Sequence, residues 1–174
     1  MGILGVDTGL NGALVIWTEK DLIIEDMPII VSDMTVKNKK TGKFKKKKQV
    51  NVRELCNIIG RNLHNIDEAI IEVTQPFLGG NRSTPPHHHH KMGLNEGYVI
   101  GALIAFGVPC YEVTPSKWKK ALECPKDKNA ARDRASEIFP AHSEQWKLKK
   151  HDGRAEASLI AYYSTKLEKE KVND

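Results

Sequence analysis

Three short apolar segments at the start of the chain constrain the fold most. They span residues 2–7 (GILGVD), 12–18 (GALVIWT) and 21–30 (DLIIEDMPII), and turn-rich stretches separate them. Short apolar runs bounded in this way are typical of β-strands joined by tight turns. The sequence therefore predicts that the chain opens with a three-stranded antiparallel meander.

The pattern then changes to helices that alternate with strands. Apolar residues recur at helical spacing over 52–63, before a buried-type strand at 69–73. A second helix at 91–106 precedes a strand at 108–113, and a strand that follows a helix can lie parallel to the first strand through a right-handed crossover. We therefore expect an α/β protein with an RNase H-like order, a mixed five-stranded sheet flanked by helices. Further helices are expected at 115–122, 127–138 and 152–167, a loop is expected at 75–90, and Gly93, Gly97, Gly101 and Ala105 are expected to pack on the sheet.

The chain has 174 residues, which favours a single domain spanning 1–174. Its longest apolar run, 98–108, is too short to cross a bilayer, and no basic segment precedes a long apolar stretch at the start. Three cysteines without C-x-x-C spacing indicate reduced thiols. These features predict a cytoplasmic protein with no membrane partner.

Residues 37–48 (KNKKTGKFKKKK) contain eight lysines and no acid, and without them the net charge of +5 becomes −3. The positive charge is therefore local to an insertion at about 33–50, with Thr41-Gly42 as a candidate hairpin tip. Such a dense run repels itself and is expected to be mobile. It could be a solubilising loop, or an arm that binds phosphates through residues such as Lys45, Lys46 and Lys47.

Two acidic residues lie near the ends of predicted buried strands. Asp7 ends the first strand and Glu72 lies within AIIEV, a strand with no other charge. A buried carboxylate is costly unless something compensates it, and the carboxyl ends of adjacent parallel strands share a crevice. Each acid alone could instead cap a turn or pair with a lysine.

Two more acids, Asp152 and Glu156, lie four residues apart at the start of the last predicted helix, and so share one helical face. Asp152 could also serve only to complement the helix dipole. Four converging carboxylates would repel one another unless divalent cations held them, and hard oxygen ligands suit Mg²⁺ or Mn²⁺. Two such ions could activate a water molecule and stabilise the leaving oxygen of a phosphodiester.

The segments GVDTGLNGALV, IIEV and KHDGRAEASLIAYY, which carry these four acids, resemble the RuvC-like Holliday junction resolvases of the RNase H-like superfamily, and most closely the bacteriophage type. The stretches YEVTPSKWKKAL and KDKNAARDRASEIFP are also similar to that family. HDGRAEA is the most specific element, although bacterial RuvC places its last two acids three residues apart instead of four. The resemblance implies a Mg²⁺-dependent homodimer that cuts four-way DNA junctions by paired nicks.

Other residues have two interpretations. His151 could donate a hydrogen bond to a phosphate or act as an acid, or could be a plain turn residue. Trp118 is expected to be a core anchor, and Phe77 could wedge against a base at the junction centre. Exposed lysines of the resembling region are expected to hold the DNA backbone, namely Lys117, Lys119, Lys120, Lys126 and Lys128.

The histidines at 87–90 favour a polar loop near DNA over a Zn²⁺ site, because adjacent histidines in a loop cannot all bind one ion. Two other functions remain open. An actin-like phosphotransferase shares the GVDTG turn but needs two such domains. A non-catalytic junction-binding protein would leave the four acids unexplained.

Overall fold

The protein is described by a computed structural model that covers residues 1–19, 21–37, 42, 44–73, 86–125 and 129–171. Its centre is a five-stranded sheet with the order β3–β2–β1–β6–β7, and two further strands form a separate hairpin. β1 pairs antiparallel with β2 and parallel with β6, and β6 pairs parallel with β7. This confirms the predicted mixed sheet. The strands are β1 (Ile3–Val6), β2 (Ala13–Trp17), β3 (Leu22–Asp26), β4 (Ile29–Lys37), β5 (Phe44–Val50), β6 (Glu68–Glu72) and β7 (Cys110–Val113).

Helices cover both faces of the sheet. They are α1 (Val52–Asn62), α2 (Pro86–Ala105), α3 (Pro115–Ala121), α4 (Ala130–Ile138), α5 (Asp152–Tyr162) and α6 (Ser164–Lys171), with 3₁₀ helices at Leu63–Asn65, Pro140–Trp146 and Lys149–His151. The last predicted helix is thus divided into α5 and α6. No helix in the described ranges has the length and apolar character needed to cross a bilayer.

The sheet separates two apolar cores. Leu4 and Val6 of β1 pack with α1 and α2, and Ile3 lies in the opposite core with α3, α4 and α5. Successive side chains of a strand point to opposite faces, so every strand of the meander contributes to both cores. Gly5 faces α5, where a Cβ atom would overlap the carbonyl oxygen of Ala157. α5 therefore lies directly on the backbone of β1.

The lysine segment forms a two-stranded antiparallel hairpin, β4–β5, which we call the lysine ribbon. The third strand, expected over 21–30, ends at Asp26, because Pro28 cannot donate a ladder hydrogen bond and the chain turns there into β4. Gly42 lies at the tip with φ of 68°, a left-handed conformation that suits glycine. Val50 is buried at the base and ties the ribbon to the core that contains α1.

Helix α2 departs from its prediction in two ways. It begins at Pro86, so the histidine run 87–90 is helical and not part of a loop; proline is well tolerated in a first helical turn. The glycines at 93, 97 and 101 do not pack on the sheet, and a Cβ atom at any of them would meet nothing within 4 Å. Val99 and Leu103 face the core instead. The small residues therefore lie on the outer face of α2.

Candidate active site

The parallel pairing of β1 and β6 brings Asp7 and Glu72 together. Val6 lies opposite Ile71 in this ladder, so the next residue of each strand is one of the two acids. Both therefore stand at the carboxyl ends of neighbouring parallel strands, where α/β proteins place their ligands. The hydroxyl of Thr8 donates a hydrogen bond to the carbonyl oxygen of Glu72 at 3.3 Å and ties the two strand ends together.

Asp7 is held by the turn that follows it. Its Oδ1 accepts a hydrogen bond from the backbone N–H of Gly9 at 3.0 Å. Burial raises the pKa of Asp7 to about 6, and the negative charge of Glu156 also raises it, while the Gly9 hydrogen bond and the charge of Lys119 act in the opposite direction. A carboxyl group with this pKa is partly protonated near neutral pH unless a cation compensates it.

Glu72 is held by an aromatic side chain. The indole Nε1 of the fully buried Trp118 donates a hydrogen bond to Oε2 of Glu72 at 2.6 Å. Burial raises the pKa of Glu72 to about 7, and Asp7 and Glu156 raise it further, whereas Trp118 and Lys119 oppose the shift. The prediction of Trp118 as a core anchor is confirmed, and the structure adds its hydrogen bond to an acid of the site.

Helix α5 brings Glu156 to these two acids. Its N-terminal turn lies against the β1–β2 connection, and a Cβ atom on Gly153 would overlap the carbonyl oxygen of Asn11. Arg154 fastens the same turn to the end of β3, with hydrogen bonds of 2.6 and 2.7 Å to the carboxylate of Asp26. Close backbone contact and a bidentate ion pair thus fix where the side chain of Glu156 can lie. We refer to Asp7, Glu72 and Glu156 together as the carboxylate crevice.

Asp152 lies at the rim of this crevice. It lines the same cavity of about 310 Å³ as Asp7 and Glu156. Its Oδ1 is 2.9 Å from Nε of Arg132 on α4, an ion pair whose geometry does not satisfy a hydrogen bond. Asp152 is therefore directed towards α4, whereas the charge of Glu156 acts on both Asp7 and Glu72. Sequence reasoning missed Arg132, because nothing in AARDRA distinguishes it from an exposed helix residue.

Lys119 does not lie where it was expected. It was expected to be exposed, but it is half-buried, and its Nζ forms a 2.8 Å ion pair with Oε1 of Glu156. The cause is the anchoring of α3 by Trp118, which places the next residue beside the acids. The ammonium group also lies 5.0 Å from the Trp118 ring centroid. Lys119 thus supplies positive charge inside the crevice, and Lys117 and Lys120 are exposed as predicted.

His151 precedes α5 and is half-exposed, but its Nδ1 is buried and has no hydrogen-bond partner among the described residues. Burial lowers the pKa of His151, as do the nearby charges of Arg154 and Lys150, while Asp26 raises it. The imidazole is therefore predominantly neutral at pH 7. This state leaves one ring nitrogen able to donate and the other able to accept a hydrogen bond.

The remaining predicted contacts divide into two groups. Lys46 and Lys47 are exposed on β5, where the sequence analysis placed the arm. Phe77, Lys126, Lys128 and the side chain of Lys45 lie outside the described residues. Lys149 and Lys150, which line the cavity of about 310 Å³, were not predicted from the sequence.

The donor chemistry of the crevice suits a hard divalent cation. Within the described part of the chain, no group of three or more His, Cys, Asp or Glu side chains is already arranged to hold a metal ion. However, burial and mutual repulsion raise the pKa values of Asp7 and Glu72, and Lys119 supplies a single compensating charge. Carboxylates that repel one another in this way favour Mg²⁺ or Mn²⁺ ligation.

Comparison with known proteins places this arrangement on a known scaffold. The chain superimposes on the structure of Thermus thermophilus RuvC in complex with a Holliday junction substrate, with a TM-score of 0.57, 14% identity and 96% of each chain covered. A second structure of Thermus thermophilus RuvC gives a TM-score of 0.55, with 15% identity and 97% of each chain covered. The chain has the RuvC fold.

The yeast mitochondrial Holliday junction resolvase Ydc2 is more distant, with a TM-score of 0.49, 13% identity and coverage of 96% of this chain and 82% of that chain. No protein-family model and no curated protein sequence matches the chain. The likeness to RuvC is therefore one of fold, and it confirms the predicted RNase H-like architecture. The bacteriophage subtype remains a prediction.

Proposed function

We propose that the chain is a metal-dependent endonuclease that resolves four-way DNA junctions. The observation that carries this proposal is the convergence of Asp7, Glu72 and Glu156 at the carboxyl ends of β1 and β6 on a RuvC fold. Partly buried carboxylates whose pKa values are raised, as those of Asp7 and Glu72 are, are typical of functional sites.

The carboxylates of the crevice would hold Mg²⁺, with Mn²⁺ able to substitute, and Asp152 would be a ligand or an outer partner at the rim. A divalent cation supplies Lewis-acid stabilisation of phosphate oxygens and lowers the pKa of a bound water molecule. The protein residues do the positioning: Trp118 fixes the Glu72 carboxylate, Gly9 fixes that of Asp7, and Lys119 neutralises charge before a metal arrives.

His151 is proposed as a group that acts on the reacting strand. It stands immediately before α5 and one residue before Asp152, and its side chain is half-exposed. The neutral imidazole could donate a hydrogen bond to a phosphate oxygen, and it could protonate the leaving oxygen after it has itself taken up a proton.

Branched DNA is the proposed substrate. The first comparison structure contains a Holliday junction, and the lysine ribbon gives this chain a basic surface of its own. Lys45, Lys46 and Lys47 on the ribbon, together with the exposed Lys117 and Lys120, would contact the phosphate backbone. Phe77, Lys126 and Lys128 are proposed as further DNA contacts on the grounds of sequence resemblance alone.

A homodimer is proposed because paired cuts on a two-fold symmetric junction need two active sites related by the same symmetry. The outer face of α2 offers a contact surface, with open space beside Gly97 and Gly101. Leu94 and Ile104 on this helix are 45% and 64% exposed. An apolar, glycine-lined helix face of this kind permits close approach of a second helix.

A supercoiled plasmid that extrudes a cruciform tests the proposal directly. With Mg²⁺, we expect linear product, because two nicks fall across one junction within the lifetime of a complex. EDTA should prevent cutting, and the Asp7→Asn variant should bind a synthetic four-way junction but not cut it. An equal-length plasmid without the cruciform serves as the control for structure selectivity.

The possible outcomes separate the candidate functions. Nicked circles alone would support cleavage without the paired action of a dimer. Junction binding without any cutting in Mg²⁺ or Mn²⁺ would identify a non-catalytic junction-binding protein, in which Lys119 permanently occupies the place of a cation.

A further inference from the structure

Two lysines stand at the mouth of the carboxylate crevice. Lys149 and Lys150 belong to the 3₁₀ helix that leads directly into α5. Both line the cavity of about 310 Å³ that also contains Asp7 and Glu156. A basic pair is therefore placed by the backbone at the entrance to an acidic pocket.

Neither lysine is paired directly with an acid in the described part of the chain, although the charge of Lys150 acts on Asp26 and His151. Both side chains are exposed, and in the described ranges neither forms a hydrogen bond or an ion pair. Lys147, in the same segment, contrasts with them, because its Nζ contacts both carboxylate oxygens of Glu144 at 3.2 Å. The pair at the crevice consequently remains available for an external anion.

A DNA strand that enters the crevice meets electrostatic repulsion. The phosphate to be cut must approach several carboxylates, and its neighbours along the strand carry the same negative charge. Exposed lysines bind phosphates as point charges and release counterions. Positive charge at the entrance would hold a phosphate beside the one that reacts and set the position of the strand.

We propose that Lys149 and Lys150 bind a non-scissile phosphate adjacent to the bond that is cut. This assignment rests on the proposed nuclease function but concerns binding, and it is separate from the general attraction supplied by the lysine ribbon. The ribbon would hold an arm of the junction, whereas the pair holds the reacting strand at one phosphate.

The test measures binding of the full chain in EDTA to four-way junctions in which phosphates near the branch point are replaced, one at a time, by neutral methylphosphonates. The wild-type protein should lose affinity by about tenfold at one position. The double variant Lys149→Gln/Lys150→Gln should show that loss on unmodified DNA, and the methylphosphonate at that position should cause no further loss. Its slope of log affinity against log salt should be smaller by about 0.9.

Lys147→Gln is the matched control, since it removes the same charge from the same segment at a lysine already paired with Glu144. It should keep both the affinity and the methylphosphonate pattern of the wild-type protein. If every methylphosphonate weakened binding of the double variant by the same factor as it weakens binding of the wild-type protein, the two losses would be independent, and the assignment would be overturned. Junction binding with this pattern but without cutting in Mg²⁺ would count against the nuclease alone, whereas absence of junction binding would overturn both.

Discussion

Charged side chains are arranged in opposite ways in the carboxylate crevice and on the lysine ribbon. In the crevice they are partly buried, and Gly9, Trp118 and Lys119 hold them at fixed positions. On the ribbon, Lys46 and Lys47 stand in water on a hairpin that is tied to the core mainly through its base. Charges act strongly and at short range when desolvated, but weakly, additively and with salt dependence when exposed. The crevice is therefore suited to control rate, and the ribbon to control affinity.

The first way to sharpen this comparison is to separate the two acids of α5. We expect Glu156→Gln to reduce junction cleavage by more than about 100-fold, because its charge acts directly on Asp7 and Glu72. Asp152→Asn should cost about 10–100-fold, the range typical of an outer partner, because Asp152 is directed to Arg132. Single-turnover rates at saturating protein measure both. Equal losses would show that both acids bind metal.

Removing lysine charges from the ribbon tests whether the ribbon controls affinity and leaves the cleavage rate unchanged. The variant Lys46→Gln/Lys47→Gln/Lys48→Gln removes three exposed charges, so the salt slope should fall by about 2.7 and affinity for all DNA should drop about tenfold or more. The cleavage rate at saturating protein should not change, and four-way junctions should still be preferred over linear duplex, because backbone contacts position a protein without specifying shape. A lower saturating rate would mean that the ribbon also shapes the active site.

The smallest expected effect is on stability. In the metal-free protein the pKa values of Asp7 and Glu72 are about 6 and about 7, above those of an unfolded chain. Between about pH 4 and pH 7 the folded state therefore binds more protons than the unfolded state, and these groups lower stability as pH rises, to a constant penalty above pH 7. Asp7→Asn should raise the free energy of unfolding by about 1–2 kcal/mol at pH 8 but not at pH 4.

Urea denaturation in EDTA measures that difference. Glu19→Gln is the matched control, because the Glu19 side chain is 85% exposed and should leave stability nearly unchanged at both pH values. An Asp7→Asn variant that is less stable than the wild-type protein at pH 8 would show that the carboxylate is compensated even without metal.

The difference between the crevice and the ribbon also explains which features could be predicted from the sequence. The sheet order and the meeting of Asp7 with Glu72 follow from apolar periodicity and from the rule that parallel strand ends share an edge. The inward position of Lys119 could not be predicted, because it depends on how Trp118 docks. Within a short helix such as α3, neighbouring lysines point in directions that differ by about 100°.

The ribbon shows the limit of an argument from charge alone. The density of lysines predicted a mobile segment with a hairpin tip at Thr41-Gly42, and Phe44–Val50 forms one strand of such a hairpin. In a strand, successive side chains point to opposite faces, so Lys46 and Lys48 lie on one side and Lys47 on the other. Alternation halves the density of like charge on each face, which composition does not reveal.

The contact between Gly153 and the Asn11 carbonyl determines how closely α5 must approach the β1–β2 connection for the whole site to form. Because two backbones touch there without an intervening side chain, no rotamer change can absorb even a methyl group. An alanine would displace the start of α5 as a rigid body and carry Glu156 with it, away from strand ends that cannot follow. A chain could thus keep every acid and still lose its active site through one added carbon atom. The glycine of HDGRAEA is therefore as much a determinant of the geometry of the site as the charged residues beside it.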